Sequence, residues 1–456
     1  MKKLRLSDIA TWTGGRLVGR DGEIAAVSTD TRTITPGALF VALRGERHDA
    51  HDFVATARER GATAAMVERV TAADMPQIVV ANGEIALGAL AHAVRAMSTA
   101  RVVGITGSNG KTTVKTMTAS ILSRHGRTHV NAGNLNNEIG VPLTLLSMPE
   151  RTEFAVVEMG AGKPGDIDYL ARIALPEVGL VNNVASAHLE RLGSERGVAE
   201  TKGAIYSALP MHGVAIVNAD DAYANYFLSL AGARRVVRFG IDANADVGAT
   251  LDAKGDVRAF HLRTPIGETD VALAQPGRHN VLNALAAASI ALALGVPLAT
   301  IRAGLEAAPA VAGRLVRRKH ASGAMLIDDS YNANPGSFAA AIATLAAEPA
   351  ETILVMGDMA ELGIDAERLH AEIGALAKSS GIAQLHAVGK WSRAAVDAFG
   401  EGATHHAEQN ALIDALRREL RANVVVLVKG SRSSAMDRVV GALADDGDNG
   451  GERHAA

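Results

Sequence analysis

Gly104-Ile105-Thr106-Gly107-Ser108-Asn109-Gly110-Lys111-Thr112-Thr113 decides the reading of this chain. A short apolar run, Val102 to Ile105, precedes it, and a helical pattern opens near Thr112. Glycines let the backbone turn tightly and aim several N–H groups at one point. The start of a helix adds partial positive charge there. Lys111 adds a full charge, and the Thr112 hydroxyl can reach a magnesium ion. Gly107, Ser108, Asn109, Gly110, Lys111, Thr112 and Thr113 thus form a cradle for the phosphates of a nucleotide. The loop has Ile105 where the common pattern places a further glycine, leaving a compact GxxGKTT. A glycine-rich turn capping an ordinary helix would not need strand, glycines, lysine and threonine in this order.

The chain has 456 residues, too many for one core, and about three domains are expected. A hydrophobic share of 48% excludes a disordered chain. The net charge of −3 provides no global basic field for nucleic acid or an acidic membrane. Aromatic residues are 3% of the total, so the cores must be built from Ala, Val, Leu and Ile. Cysteine is absent, which removes disulfides, thiol catalysis and thiolate-bound zinc. The opening MKKLRLSDIATWTGG carries no apolar leader core, and no later run approaches a membrane span of about 20 residues. A cytoplasmic protein, monomeric by default, is the expectation.

Upstream of the loop, residues 1–82 read as a small α/β unit. Short apolar runs at Ile24 to Val27, Ala38 to Ala42, Ala64 to Val67 and Gln77 to Val80 are separated by turn residues. Ser28, Thr31 and Arg32 lie near one strand end, and Arg44, Arg47, His48 and His51 near another. Such groups could hold a diphosphate and a sugar, or could be ordinary caps and polar loop residues. Glu84 to Thr99 has helical spacing and leads into the loop strand.

Downstream, residues 83–312 alternate strands and helices as a parallel sheet covered on both faces does. Phe154 to Val157 is a buried strand ending in Glu158; Val178 to Val181 is another, with Asn182, Asn183 and His188 beyond it. Ligands of open α/β sheets sit outside the carboxyl ends of the strands, so Lys111, Thr112, Glu158 and His188 should meet at one edge. Oxygen and imidazole groups beside a phosphate cradle suit magnesium. Lys202 falls on a helix, where a lysine is usually a surface charge. Val257 to Thr264 and Thr269 to Leu273 read as a hairpin turning at Pro265-Ile266-Gly267. Asn280 and Asn283 are one helical turn apart and could read an adenine edge, or need no explanation as helix residues.

Residues 313–456 read as a Rossmann-like sandwich, with strands near 325–327, 352–356, 385–388 and 424–428. Their ends carry Asp328-Asp329-Ser330-Tyr331-Asn332-Ala333-Asn334-Pro335, Gly357-Asp358-Met359-Ala360-Glu361-Leu362-Gly363 and Lys429-Gly430-Ser431-Arg432. A GxGxxG fingerprint is missing, which argues against NAD. The acidic, glycine-rich tail from Asp445 to Gly451 is expected to be disordered.

The motifs TGSNGKTT, NLNNEIGVPLTLL, VVEMG, NNVASAHLERLGS and HNVLNALAA together resemble the Mur ligases of peptidoglycan synthesis, over the whole chain. DDSYNANPGS and MGDMAELG resemble the branch that adds D-alanyl-D-alanine to a UDP-linked muramoyl-tripeptide; the Asp-Asn-Pro-Arg motif of the diaminopimelate- or lysine-adding branch is absent. The resemblance implies a UDP-binding first domain with Ser28, Thr31 and Arg32 near the UDP. It implies a central ATPase domain and a third domain that carries the dipeptide. Lys111 and Thr112 would hold ATP phosphates and a first Mg2+, with Glu158 and His188 as metal ligands. Lys202 matches the lysine that the family carbamylates, whose carboxylate would help hold a second Mg2+. Asn283 would meet adenine, Arg314 the γ-phosphate and Asp329 the ribose, while Lys429, Ser431 and Arg432 would lie near the dipeptide. Other ligases of the superfamily, acting on folate polyglutamate or diaminopimelate, and an ATP-gated binding protein are the competing readings.

Overall fold

The computed structural model describes residues 2–45, 48–186, 189–251 and 258–444. His188, Arg47 and the tail beyond Ala444 lie outside the described residues.

Among the described residues, three large sheets organise the α/β chain, beside a two-stranded antiparallel pair of Leu4–Arg5 and Glu23–Ile24. The first has five strands in the order Arg16–Val18, Gln77–Val79, Ala62–Val67, Ala38–Val41 and Ala26–Ser28, and only the Arg16–Val18 edge is antiparallel. The helix Gly83–Ala96 follows, capped by the Asn82 side chain on Ile85 N–H. Leu87 and Leu90 on its inner face join one continuous apolar cluster that also holds Leu39 of the first sheet and Val102 and Val157 of the second.

The second sheet has nine strands in the order Gly267–Ala272, Ala259–Thr264, Val247–Leu251, Arg235–Gly240, Val214–Asn218, Val178–Val181, Arg101–Thr106, Phe154–Glu158 and Thr128–Val130. From Thr128–Val130 to Val247–Leu251 every pairing is parallel. Helices cover both faces, so the inner strands are apolar throughout rather than alternating. The Arg101–Thr106 strand is paired with Val178–Val181 on one side and Phe154–Glu158 on the other. The three therefore end side by side at one carboxyl edge. The predicted hairpin is present with a tighter turn: register runs to Thr264 opposite Gly267, so only Pro265 and Ile266 form the loop.

The third sheet runs Val316–Lys319, Met325–Asp329, Val424–Lys429, Glu351–Gly357, Gln384–Val388, Ala403–His406, parallel apart from Val316–Lys319. It has two edge strands more than its apolar runs suggest. Separate apolar clusters fill its two faces. Leu189 of the second unit packs on one of them, and Glu190 N–H donates to the Glu361 carbonyl at 3.2 Å.

Candidate active site

The phosphate loop is held from below by the end of the Val178–Val181 strand. Ser108 N–H donates to the Asn183 carbonyl at 2.9 Å, and Asn109 N–H to Asn183 Oδ1 at 2.8 Å. Asn182 Nδ2 donates to the Asn109 carbonyl at 3.0 Å and to Asn283 Oδ1 at 2.9 Å. Gly110 has φ +78°, and a Cβ there would fall 2.3 Å from Asn283 Oδ1, so glycine is required by both backbone and space. The helix Lys111–Leu122 starts at the next residue. Lys111 Nζ curls back to the Gly107 carbonyl at 2.8 Å.

Glu158 stands beside this helix start and is 3% exposed. Its carboxylate accepts from Thr112 Oγ1 at 3.0 Å and from Asn136 Nδ2 at 2.8 Å, and pairs with Lys115 Nζ at 3.2 Å. Burial pushes the Glu158 carboxyl up, but Lys111, then Lys115, and the Asn136 bond outweigh it and hold it below its ordinary value. Glu158 is therefore ionised at neutral pH. Burial lowers the Lys111 ammonium below the usual lysine value, with Glu158 opposing and Arg314 adding to the shift.

Lys115 and Asn136 carry no role in the sequence reading above. Lys115 is four residues beyond Lys111 on the same helix, which was the available signal. Its ammonium also donates to the Asn131 and Gly133 carbonyls at 3.2 and 3.0 Å. Asn131 in turn brackets the Glu158 backbone, accepting from its N–H and donating to its carbonyl, both at 2.9 Å. Lys115→Met leaves the buried Glu158 carboxylate without its ion-pair partner, while Thr112 and Asn136 still bond it, so a loss of about 3 kcal/mol is expected, read as a lowered urea midpoint.

Lys202 is buried, not a surface charge. The helix Glu195–Ala208 is covered on more than one side, and Lys202 is 1% exposed among Val198, Thr201 and Ile205. Its ammonium has no hydrogen-bond or ion-pair partner among the described residues. Burial first, and the charge of Lys111 second, hold it well below the ordinary lysine value.

A cavity of about 260 Å³ opens from Gly110 toward the third unit, lined by Asn283, Arg314, Asp329 and Lys429 among others. Asn280 and Asn283 share a wall, 3.4 Å apart between Nδ2 and Oδ1. Arg314 lies over the Tyr331 ring at 4.6 Å, with its Nε buried and unpartnered. Arg314 lines this cavity, and a guanidinium there with an unpartnered donor suits an anionic ligand. Lys429 Nζ donates to Asp329 Oδ2 at 2.6 Å and to the Asn332 carbonyl at 3.0 Å. Lys429 and Asp329 thus lie together on the third unit's wall of this cavity. Ser431 and Arg432 follow it: Ser431 N–H bonds the Asp358 carbonyl at 2.9 Å, and Arg432 is exposed near Asp437.

Ser28, Thr31 and Arg32 form a separate group in the first unit. Thr31–Thr33 is a single 3-10 turn capped by Asp30, whose carboxylate also pairs with Arg32 at 2.7 Å. His51 is taken up structurally, its Nε2 accepting from Glu68 N–H at 2.8 Å while Nδ1 meets Asp49.

The phosphate loop, Lys111 and the orphaned Arg314 donor match a triphosphate. The Thr112 hydroxyl and the ionised Glu158 carboxylate, 3.0 Å apart at the loop mouth, are hard oxygen donors that match Mg2+. No cluster of three or more His, Asp or Glu able to hold a metal occurs among the described residues. No described helix is long and apolar enough to cross a membrane.

Fold and site together define an ATP-dependent ligase of three α/β units. The chain belongs to the Mur ligase family, matching its catalytic domain over residues 23–106, its middle domain over 105–291 and its glutamate ligase domain over 313–432. It is 48% identical, over 98% of its length and 100% of the relative's, to the UDP-N-acetylmuramoyl-tripeptide–D-alanyl-D-alanine ligase of Escherichia coli K12. Among solved structures it resembles MurF from Acinetobacter baumannii, with a TM-score of 0.93, 35% identity, and 98% and 99% of the two chains covered. It also resembles MurF ligase from Thermotoga maritima in complex with ADP, with a TM-score of 0.82, 27% identity and 92% and 97% coverage.

Proposed function

We propose that this enzyme joins D-alanyl-D-alanine to UDP-N-acetylmuramoyl-tripeptide, with ATP converted to ADP and phosphate, in the cytoplasm. The observation that carries this reading is the convergence of Lys111, Glu158 and the orphaned Arg314 donor on one phosphate loop. The end-to-end identity with a ligase of that name supports the choice of substrates.

The chemistry follows from charge. A carboxylate does not condense with an amine in water, because its oxygen is a poor leaving group. The terminal carboxylate oxygen of the tripeptide attacks the γ-phosphorus, and the bond to the bridging oxygen of ADP breaks with its electron pair on ADP. The resulting acyl phosphate is attacked at carbon by the amine of the dipeptide; the C–O bond breaks, phosphate leaves, and the amine proton is released. Attack of one anion on another needs positive charge fixed in advance. Lys111 and Arg314 supply it from the protein. Thr112 and Glu158 would hold a first Mg2+, which supplies further neutralisation when bound. His188 and a carbamylated Lys202 would hold a second. Asn283 would face the adenine and Asp329 the ribose. Ser28, Thr31 and Arg32 would bind the UDP, and Lys429, Ser431 and Arg432 would border the dipeptide. In this reading residues 1–82, 83–312 and 313–456 are the UDP-binding, ATP-binding and dipeptide-binding domains.

Lys202 suits carbamylation because a neutral amine attacks carbon dioxide, forming an N–C bond and losing a proton. Its burial favours the neutral form needed.

Phosphate release is expected only when ATP, UDP-muramoyl-tripeptide and D-alanyl-D-alanine are all present. Release that persists without the dipeptide, or that is driven equally by single amino acids, would replace this reading with another acceptor or with a nucleotide switch.

A further inference from the structure

Asn109 belongs to two units at once. Its main chain is clamped by the central sheet, through Asn183 Oδ1 at 2.8 Å and Asn182 Nδ2 at 3.0 Å. Its side chain faces the third unit, where Asn109 Oδ1 accepts from Asn334 Nδ2 at 2.7 Å. Asn334 is 8% exposed and its amide is not free to turn. Its Oδ1 accepts from Ser337 N–H at 2.9 Å and its own N–H donates to Ser337 Oγ at 2.9 Å, a reciprocal cap on the helix Pro335–Ala346. With Oδ1 committed, Nδ2 is the end left to meet the phosphate loop. The next turn is shaped for close approach: a Cβ on Gly336 would lie 3.3 Å from Ala185 Cβ.

We propose that the Asn109–Asn334 pair is the latch through which an occupied phosphate loop holds the third unit closed. Asn109 sits between Ser108 and Gly110, so phosphates seated in the loop would reinforce the backbone that the central sheet already clamps. Asn334 converts that position into the placement of a whole helix, since its amide caps one end of it. Asn334 is a positioning residue: it acts through Asn109 and touches no reacting atom. The coupling rests on the proposed function only for its second readout, the dipeptide KM.

The test uses the absence of cysteine from the chain. Cysteines placed at exposed Met211 and Asp397 carry a fluorescent donor and acceptor on the second and third units. ADP with magnesium chloride is titrated in the parent, Asn334→Ser, Asn109→Ala and the double variant. Serine keeps the helix cap but is too short to reach Asn109. Each single variant is expected to weaken closure, read at saturating ADP, about two- to tenfold and to raise the D-alanyl-D-alanine KM by a similar factor, with kcat at saturation less affected in Asn334→Ser. The double variant is expected to be no worse than the poorer single, because both remove one bond. Losses that multiply in the double variant, or an Asn334→Ser protein with parental closure and KM, overturn the latch. Melting temperatures control for folding: Asn109→Ala removes no cap, so it tests the latch even where a change at Asn334 weakens the helix. A parent that closes on ADP but never couples ATP to the dipeptide would refute the proposed function and leave the closure readout intact.

Discussion

A Lys111→Ala protein is expected to fold normally and to lose ligation by on the order of 10²–10³ in rate. The folding half of that expectation comes from the contacts of the side chain. Lys111 Nζ reaches only carbonyls of its own loop, Gly107 at 2.8 Å and Ser108 at 3.5 Å, and takes no part in the apolar clusters. Its pKa is lowered by burial, so the charge is a cost to the empty fold. Removing it relieves that cost but also withdraws the charge that most favours the ionised Glu158, so the two effects oppose and melting is expected to change little. The catalytic half comes from electrostatics. The attacking carboxylate and the γ-phosphate are both anions, and in the proposed site Lys111 and Arg314 would be the cations set at their meeting point. A fixed cation in a site closed to water acts far more strongly than one in solvent. Near-parental turnover in a folded Lys111→Ala protein would remove the loop from the chemistry.

Lys202→Ala is expected to impair ligation to a similar degree, and added short carboxylates such as formate or acetate are expected to restore part of the rate. In the proposed site, truncation would open a space beside the edge that would hold the metal, and a small acid entering it would stand in for the carbamate. A second substitution at this residue, Lys202→Met, makes a stability prediction with a definite sign. In carbonate-free buffer the folded-state pKa of Lys202 lies well below its unfolded value. Between the two, the unfolded chain holds one proton more, so parental stability rises with pH through that window. A Lys202→Met protein lacks this dependence. It should therefore be the more stable of the two near neutral pH, with the difference closing as pH rises toward the ordinary lysine value. Thermal melts across pH measure this. Normal activity without a carboxylate effect would make Lys202 a packing residue only.

The phosphate loop was legible because its residues are local: strand, glycines, lysine and threonine follow one another within a dozen positions. The meeting of that loop with Glu158 was legible from topology, since parallel strands end at one edge. Lys202 was less so. Its local pattern is that of an exposed helix residue, and its burial depends on the neighbouring helices and sheet, which spacing does not reveal. Lys115 shows the reverse: it is one turn from Lys111, but its partner Glu158 is 43 positions away in the chain. The strand Val316–Lys319 escaped because an edge strand exposed on both sides tolerates three consecutive cations, Arg317, Arg318 and Lys319. The Asn334–Asn109 bond spans 225 positions, and nothing in the composition of either segment pairs them.

The central claim is that ATP is spent to make the tripeptide carboxylate into a mixed anhydride. It is tested most directly by labelling both oxygens of that carboxylate with oxygen-18 and allowing one turnover with ATP and D-alanyl-D-alanine. Mass analysis of the released phosphate should find one labelled oxygen per molecule, carried over when the acyl C–O bond breaks, with the other retained in the new amide. Unlabelled phosphate, released while the peptide bond still forms, would contradict the account.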